Sequence, residues 1–508
     1  MSPVLKVCGL SIALPPGADR PLAVESLSFD VHRGETLCII GASGSGKSVL
    51  ASAMLAALAP GLRVVAGSVA LGDTCLTTLA EPVLRRLRGN RIALVPQEPV
   101  AALNPLMTIG AQIAEVLAIH DHQDAEAWGQ RTSALLESVA LSPHFAGRYP
   151  HQLSGGECQR VAIAMAIAMS PDVLIADEAT TALDTVTQAQ ILALLAELKA
   201  RTRHGLVFIS HDIAVVSRIA DRIAVIDKGR IVEMGSAREI LDSPQHPITR
   251  SMLAAARPPL PRAPRNASAP ILTVNGLAKT YAGKIAVAGA SFTLGRGQTL
   301  AIVGRSGSGK SSLARMIMRL VPPDSGTVTV DRAAAASDRA AIQMVFQDSS
   351  SALNPRRKIG AGIARAAELG GLGRAEARAK AASLLARVGL PPDAFGRLPA
   401  AFSGGQRQRI AIARALAIQP QILVCDESVS GLDPIVQTQV LALLADLQAD
   451  FGIAMIFITH DLRIAAAIAD RIIVMDRGHI VEAGDAATVL ATPQSDSARA
   501  LVAAMPSV

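Results

Sequence analysis

The chain has 508 residues, of which 50% are hydrophobic, 18% charged and only 2% aromatic. This apolar content excludes disorder over most of the length, because a disordered chain lacks that much surface to bury. The few aromatic residues argue against a platform for stacking single-stranded nucleic acid. No apolar run approaches the ~18 residues of a membrane helix, and the N-terminal residues lack an export pattern. We therefore expect a cytosolic chain that cannot cross a bilayer alone.

The net charge of +7 is unevenly spread along the chain. Residues 1–256 carry 21 basic and 24 acidic side chains, a net charge of −3, whereas residues 257–508 carry 28 and 18, a net charge of +10. A solvated surface is the simpler interpretation of the second value. A basic face toward anionic lipid or nucleic acid is the alternative.

The first predicted elements are a buried strand, a glycine-rich loop and a helix. Thr36 to Ile40 is apolar on both faces, which is typical of a parallel sheet, and the helix is predicted from Lys47 to Ala59. Between them, glycines let backbone N–H groups converge on phosphate oxygens, and the helix N-terminus adds its positive dipole. The spacing predicts that the lysine neutralises the β- and γ-phosphates and that the final serine holds Mg²⁺. The predicted phosphate-binding residues are Gly41, Ser43, Gly44, Gly46, Lys47 and Ser48.

A second anion site is predicted where Leu-Ser-Gly-Gly precedes a helical run from Glu157 to Ala168. Serine is a common N-cap residue, and glycines permit close approach of the backbone to a ligand. Ser154, Gly155 and Gly156 would form this site. A domain has no obvious use for two γ-phosphate sites unless a partner domain supplies the second nucleotide.

A carboxylate pair and a histidine follow two short apolar strands. Asp177 and Glu178 end the strand from Val173 to Ala176, and His211 follows the strand from Leu206 to Ile209. The aspartate would hold Mg²⁺ directly or through water, and the glutamate suits a general base that polarises the attacking water. The histidine could contact the γ-phosphate. Such a pair alone is usually solvated surface, but the glycine-rich loop upstream reverses that expectation.

All of these blocks return in the same order, the loop at an offset of 263 and the later blocks at 249. The chain is therefore two copies of a domain of about 240 residues, which we expect to face head to tail with two ATP molecules between them. Five prolines in fourteen residues indicate an extended linker between the copies. The predicted boundaries are 1–256, 257–270 for the linker, and 271–508. The repeated site residues are Gly304, Ser306, Gly307, Gly309, Lys310, Ser311, Ser403, Gly404, Gly405, Asp426, Glu427 and His460.

At these residues the chain resembles the nucleotide-binding subunits of ABC transporters, fused in tandem. The resemblance implies an α/β fold of two P-loop NTPase domains, each with a mainly parallel core sheet, an antiparallel β subdomain and a helical subdomain. It implies ATP and Mg²⁺ as cofactors. It assigns the catalytic role to Glu178, Glu427, His211, His460, Gln97 and Gln347. It assigns the binding of the metal to Ser48, Asp177, Ser311, Asp426 and the same two glutamines.

The resemblance also makes Tyr281 the residue that stacks on adenine in the second copy. The matching stretch of the first copy, Leu10 to Leu14, offers no aromatic residue. We therefore expect the two copies to hold the base differently.

A narrower resemblance follows each glutamine, where Leu-Asn-Pro is similar to the peptide/nickel importer subfamily, as is His-Pro-Ile-Thr from His246 to Thr249. It implies an ATPase that energises import of dipeptides, oligopeptides, nickel or a metallophore. The partners would be two transmembrane permease subunits and, through them, a solute-binding protein, with no nucleic acid. The chain would lie peripherally on the cytoplasmic face of the inner membrane.

In that family a short helix of each membrane subunit lies in a groove near the glutamine. The segments from Glu98 to Asn104 and from Asp348 to Asn354 should line these grooves. The alternative is a soluble tandem ABC ATPase that acts on ribosomes or DNA. Such translation factors carry a long charged helical linker between their halves, unlike the short proline-rich linker here.

Overall fold

The computed structural model describes residues 2–18, 20–121, 125–181, 183–257, 269–331, 341–347 and 352–505. The chain divides into two compact units, built in the main from Met1–Arg257 and from Pro258–Met505. The boundaries expected from the sequence stay predictions, and residues 258–268 of the expected linker lie outside the described residues.

The first unit contains two β-sheets in its described part. Its strands are β1 (Leu5–Ala13), β2 (Leu22–Val31), β3 (Thr36–Ile40), β4 (Arg63–Leu71), β5 (Thr74–Cys75), β6 (Ile92–Val95), β7 (Val173–Asp177), β8 (Gly205–Ser210), β9 (Arg222–Asp227) and β10 (Arg230–Ser236). An antiparallel sheet has the order β2-β1-β4-β5. A six-stranded sheet has the order β10-β9-β3-β8-β7-β6 and is parallel except for β10.

The helices of the first unit follow the strands of the core sheet and the signature motif. They are α1 (Lys47–Met54), α2 (Glu81–Leu87), α3 (Pro99–Ala102), α4 (Ile109–His120), α5 (Ala125–Ser138), α6 (Gly155–Ile167), α7 (Thr185–Thr202), α8 (Ile213–Val216), α9 (Ala237–Asp242) and α10 (Pro247–Ala256). Helices α4, α5 and α6 pack against one another and form the helical part of the unit. The short helix α2 precedes β6.

The second unit repeats this plan. Its strands are β11 (Pro270–Tyr281), β12 (Lys284–Gly295), β13 (Thr299–Val303), β14 (Ser325–Val330), β15 (Ile342–Val345), β16 (Ile422–Asp426), β17 (Ala454–Thr459), β18 (Arg471–Asp476) and β19 (His479–Asp485). Its helices are α11 (Lys310–Ile317), α12 (Ile359–Leu369), α13 (Arg374–Arg387), α14 (Gly404–Leu416), α15 (Pro434–Phe451), α16 (Leu462–Ile468), α17 (Ala486–Ala491) and α18 (Asp496–Ala504).

The sheets of the second unit match those of the first, except that the antiparallel sheet has three strands rather than four among the described residues. The antiparallel sheet runs β12-β11-β14, and the core sheet runs β15-β16-β17-β13-β18-β19, parallel except for β19. All five residues of β3 and of β13 are buried, as expected for strands covered on both faces. The predicted α/β fold is confirmed, and in the described parts no helix combines the length and apolarity needed to cross a bilayer.

The helix after each glycine-rich loop is shorter than the sequence predicts. It ends at Met54 in the first unit, rather than at the predicted Ala59, and at Ile317 in the second. In the first unit Ala56 adopts φ +49°, and the N–H groups of Ala56 and the residue after it donate back to carbonyls of the last turn at 2.9 and 2.8 Å. This is a Schellman ending built on alanine, whereas the sequence signal for such an ending is glycine.

Candidate active sites

The glycine-rich loop of the first unit is so tightly folded that only glycine fits at two positions. A Cβ atom on Gly41 would lie 2.2 Å from the carbonyl oxygen of Ile226, and one on Gly46 would lie 2.4 Å from that of Ala23. Gly46 also has φ +106° and forms the N-cap of α1. The loop therefore packs directly onto neighbouring backbone, which holds its N–H groups in a fixed concave arrangement.

A lysine ammonium lies inside each loop. Lys47 Nζ donates to the carbonyl oxygens of Gly41 and Ala42 at 2.8 and 3.0 Å. Lys310 Nζ does the same with Gly304 and the next residue at 2.7 and 2.8 Å. The two lysines are only 5% and 4% exposed, and burial lowers the pKa of Lys310 below its usual value. Each loop thus holds a positive charge where a bound polyphosphate would need it.

The aspartate that ends each strand meets the serine of the loop. Ser311 Oγ donates to Asp426 Oδ1 at 3.4 Å, and Ser48 bonds Asp177 in the same way. Burial, followed by repulsion from the adjacent glutamate, raises the pKa of both aspartates. The Oδ1 atom of Asp177 is buried without a hydrogen-bond partner among the described residues. This oxygen can therefore accept a further ligand.

In the first unit the predicted glutamine, glutamate and histidine come together. Gln97 Nε2 donates to Glu178 Oε2 at 3.0 Å, and His211 Nδ1 lies 3.4 Å from Glu178 Oε1. Thr181 Oγ1, which the sequence analysis missed, also donates to Oε2 at 3.2 Å. Burial acts to raise the pKa of Glu178, but the hydrogen bond from His211 and the charges of His211 and Lys47 outweigh it, so the pKa is lowered.

The second unit repeats this cluster. Gln347 Nε2 donates to Glu427 Oε2 at 2.9 Å, and His460 Nδ1 lies 3.4 Å from Oε1. The pKa of Glu427 is lowered because His460 and Lys310 outweigh burial. The two glutamates have φ values of +46° and +45°. A left-handed backbone is costly for glutamate, and such strain is concentrated at functional sites.

The signature serine caps its helix in both units, as predicted. Ser154 Oγ accepts from Glu157 N at 3.4 Å, and Glu157 returns its carboxylate to the backbone N–H of Ser154 at 2.7 Å. Each helix begins at the first signature glycine, two residues before the predicted start. The first glycine has open space, since a Cβ atom on Gly155 would lie 4.0 Å from Leu183.

The second signature glycine is required for packing. A Cβ atom on Gly156 would lie 2.5 Å from Thr187 Cγ2, and one on Gly405 would lie 2.4 Å from Val436 Cγ1. The expected reason for these glycines was approach of the backbone to a ligand. In this structure the side chain of the following long helix occupies that space.

The predicted adenine-stacking residue, Tyr281, ends β11 and is exposed, with Lys279 Nζ 5.8 Å from its ring centroid. The first unit has Leu14 at this position and a longer proline-rich turn between β1 and β2. From that turn Arg20 Nη2 donates to the carbonyl of Gly44 at 2.6 Å. Sequence reasoning missed Arg20, although an arginine in a loop that is longer than its counterpart was a visible signal.

The chain is similar to known proteins over nearly its whole length. The family model for the ABC transporter matches residues 24–181 and again residues 287–430. The peptidoglycan transport ATP-binding protein YejF of Agrobacterium fabrum is 42% identical over 99% of this chain and 96% of that protein. The glutathione import ATP-binding protein GsiA of Salmonella typhimurium is 41% identical, and its Escherichia coli counterpart 40%, each over 99% of this chain and 89% of the relative.

Proposed function

Because the chain belongs to the ABC transporter family, we propose that it is the ATP-hydrolysing subunit that powers import of a peptide-like solute through partner membrane subunits. The observation that carries this proposal is the intact glutamine–glutamate–histidine cluster beside a loop-held lysine, present in both halves of the chain. The relatives named above are import or transport ATP-binding proteins for peptidoglycan and glutathione. Solutes of this kind contain peptide bonds, so a peptide or peptide-containing small solute is the proposed cargo.

ATP is the substrate of this family, and the arrangement in each half suits its hydrolysis. The loop N–H groups and Lys47 or Lys310 would bind the β- and γ-phosphates. The ionised carboxylate of Glu178 or Glu427 would accept a proton from the attacking water. His211 and Gln97, or their counterparts, hold that carboxylate in place and keep it ionised through the hydrogen bonds described above. The signature residues Ser154, Gly155, Gly156, Ser403, Gly404 and Gly405 are proposed to contact phosphate as well.

We propose Mg²⁺ as the metal partner of the nucleotide. The fit rests on the buried, unpartnered Oδ1 of Asp177 and on the serine hydroxyl that bonds the same carboxylate. Hydroxyl, carboxylate and amide oxygens are the ligand types that Mg²⁺ accepts, together with phosphate. Ser48, Asp177 and Gln97, or Ser311, Asp426 and Gln347, would hold the ion. When bound, it would neutralise charge on the phosphates.

The membrane partners are proposed to dock beside the two glutamines. In the second unit a groove of 380 Å³ lies on this side, lined by apolar side chains that include Leu320, Phe346, Ile363 and Leu369. Three of these, Leu320, Phe346 and Leu369, are exposed. The first unit exposes Val100, Leu106 and Ile119 in the corresponding segments. Exposed apolar residues in a groove mark a surface for a helix of another protein.

We propose that these helices belong to two permease subunits and that a solute-binding protein delivers the cargo to them. The chain would then lie peripherally on the cytoplasmic face of the inner membrane. Of the predicted groove segments, residues 348–351 lie outside the described residues. The alternative of a soluble ATPase acting on ribosomes or DNA draws no support from the relatives named above.

The test is reconstitution of the full chain with its co-encoded membrane subunits in lipid vesicles. Labelled glutathione and a labelled muropeptide, offered with the co-encoded binding protein, should accumulate only when ATP is present. The Glu178→Gln/Glu427→Gln double variant should bind ATP without accumulating cargo. Recovery of the native protein only on ribosomes or DNA, with no membrane subunit, would replace this proposal by the alternative.

A further inference from the structure

The surfaces beside the two glutamines differ in charge and in the volume that side chains fill, and we infer that they select chemically different membrane-subunit segments. The second-unit groove takes a segment that carries acidic side chains and one bulky apolar side chain. The first-unit counterpart takes a segment without that acidic character. This inference rests on the proposed function and adds the chemistry by which each half recognises its partner.

The charge difference lies in two aligned segments of fourteen residues. Residues 356–369 contain Arg356, Arg357, Lys358, Arg365 and Glu368, a net charge of +3. Residues 106–119, aligned at an offset of 250, contain a single charged residue, Glu115, and so have a net charge of −1. In this alignment Arg365 of the second unit corresponds to Glu115 of the first.

The cations form the rim of the apolar groove. Arg357, Lys358 and Arg365 line the 380 Å³ cavity together with the apolar side chains already named. Three of the cations, Arg356, Arg357 and Lys358, are exposed. Among the described residues none of these three forms an ion pair with a carboxylate, whereas Arg365 pairs with Glu368 at 2.9 Å. An apolar floor with a cationic rim is complementary to an amphipathic helix with acidic residues at its margins.

The second unit gives up local stability to place these charges. In the first unit Thr108 caps α4, with its hydroxyl accepting from Ala111 N at 3.3 Å. The aligned residue of the second unit is Lys358. It is the N-cap residue of α12, and its side chain accepts no hydrogen bond from the helix. Losing a cap and placing cations at the positive end of a helix both disfavour the free protein. A carboxylate of the partner would relieve both effects.

The difference in filled volume comes from one pair of aligned residues, Gln112 in the first unit and Gly362 in the second. In the first unit Gln112 is buried and bonds the backbone of Asn104 twice, at 2.8 and 3.0 Å, and the carbonyl of Met107 at 3.0 Å. The second unit has Gly362 there, which lines the groove and would meet only Arg357 at 4.0 Å if it carried a Cβ atom. The volume that a glutamine fills in one half is therefore open in the other.

Acidic side chains on a membrane-subunit segment allow the second-unit groove to distinguish that segment from others. The cytoplasmic loops of membrane proteins carry an excess of lysine and arginine. A basic rim repels such loops and admits the exceptional acidic one, whereas the first-unit segment, with a net charge of −1, does not repel them. Two unlike permease subunits would therefore bind in one arrangement, with the acidic segment on the second unit and the other segment on the first.

The experiment uses the complex in native membranes and two matched probe positions. A photo-crosslinking amino acid replaces Leu369 in one variant and Ile119 in another; these aligned side chains are 69% and 65% exposed. Crosslinked peptides are sequenced by mass spectrometry. We expect an acidic segment at Leu369 and a different, non-acidic segment at Ile119. A neutral or basic segment at Leu369, or the same segment at both positions, overturns the inference.

Charge reversal and groove filling supply the second readout. Arg356→Glu/Arg357→Glu should lower crosslinking at Leu369 by about tenfold and leave crosslinking at Ile119 unchanged. Gly362→Gln, which installs the residue that the first unit carries, should lower it as well. Arg374→Glu/Arg378→Glu makes the same charge change on α13, outside the groove, and should have no effect. Unchanged crosslinking in the first double variant overturns the inference and favours contact with anionic lipid headgroups.

These outcomes separate the inference from the function on which it rests. Membrane subunits captured at both positions, with no acidic segment, leave the transport function standing and remove the selection by charge. Capture of only soluble proteins, ribosomal or DNA-associated, at both positions removes the transport function itself.

Discussion

Glu178 and Glu427 carry the strongest residue-scale evidence for catalysis. Each adopts a left-handed backbone at the end of a buried strand, and each is held by a glutamine amide and a histidine ring. The backbone N–H of each also donates to the neighbouring strand, to Ile209 at 3.0 Å and to Ile458 at 2.9 Å. Each carboxylate is thus placed by its own strand, the next strand and two side chains, with Thr181 as a third at Glu178, which is the preorganisation that a general base requires.

Removing the base should stop turnover without removing nucleotide binding. Glu178→Gln and Glu427→Gln each keep the shape of the side chain and lose the proton acceptor. We expect the double variant to hydrolyse ATP about 10²–10⁴-fold more slowly than the native complex, with ATP affinity retained. Steady-state phosphate release and equilibrium ATP binding measure the two quantities. Glu239→Gln, which alters only a helix cap, is the control, and native-like hydrolysis by the double variant would contradict the assignment.

The histidines should control the pH at which the base is lost. The pKa of Glu178 lies below its ordinary value of 4.5 because His211 and Lys47 outweigh burial. The ionised form is the active one, so activity falls as the pH drops through this pKa. Without the imidazole, burial prevails and the pKa rises. We therefore expect the acid limb of residual turnover to move to higher pH in His211→Ala/His460→Ala.

The pH–rate profile of the assembled complex tests this expectation. His479→Ala removes an exposed histidine from the β18–β19 turn and should leave the profile in place. An acid limb at the native position in the His211→Ala/His460→Ala variant, whatever the size of its residual rate, would mean that the imidazoles do not set the pKa of the base.

Tyr281 should make the two nucleotide sites unequal. Base stacking on an aromatic ring is worth about 1–3 kcal/mol per base in nucleic-acid complexes. Tyr281→Ala, made in the Lys47→Ala background so that the second site is followed alone, should weaken ATP binding by roughly tenfold or more. Leu14→Ala in the Lys310→Ala background is the matched control and should change affinity little. Equal losses in the two titrations would refute the asymmetry.

At the scale of elements, the sequence predicted the strands, the phosphate loops and the signature caps, because each has a local signal. Short apolar runs between turn residues locate strands, and a serine before a helix locates a cap. The last two strands of each core sheet are joined by tight turns at Lys228 and Arg477, each with φ +46° and followed by a left-handed glycine.

The predicted end of α1 was wrong because the chain reverses at Ala56, a residue that carries no such signal. The second unit reverses in the same way at Arg319. Neither could the sequence show what the second signature glycine contacts. Thr187 and Val436 come from the start of the following long helices, α7 and α15, and only the packing of two helices brings them to Gly156 and Gly405. The hydrogen bonds of Thr181 and Arg20 also depend on tertiary placement.

The two signature glycines should therefore respond differently to an added methyl group. Gly156→Ala forces a contact of 2.5 Å with Thr187 Cγ2, and overpacking of this kind costs about 1–3 kcal/mol. Gly155→Ala has room and should leave stability unchanged while lowering ATP turnover. Thermal unfolding and ATPase assays measure the two effects. Thr187→Ser deletes the opposing methyl group and should restore the stability of Gly156→Ala; failure of that rescue would exclude packing as the cause.

At the scale of the whole molecule, duplication has preserved the chemistry and changed the surfaces. The core sheets keep one strand order, β10-β9-β3-β8-β7-β6 in the first unit and β15-β16-β17-β13-β18-β19 in the second. The loop lysines, the glutamates and the histidines occur in both. The differences fall on the turn that follows β1 and β11 and on the segment after each glutamine, the places proposed to contact the base and the membrane partner. Such a division is expected when both halves must hydrolyse ATP but meet different partners.

Two intact sets of catalytic groups predict two ATP molecules per chain. In the Glu178→Gln/Glu427→Gln variant ATP should accumulate without hydrolysis, and native mass spectrometry or equilibrium dialysis should find two bound nucleotides. Adding Lys47→Ala or Lys310→Ala removes the ammonium from one phosphate loop and should leave one, because a buried cation at the phosphates is the main electrostatic attraction in each loop. The predicted stacking of adenine on Tyr281 belongs to the second site alone, so we expect the nucleotide retained in the Lys47→Ala background to be the more tightly held. One nucleotide in the starting variant, or two after either lysine is removed, would show that the halves are not equivalent binding units.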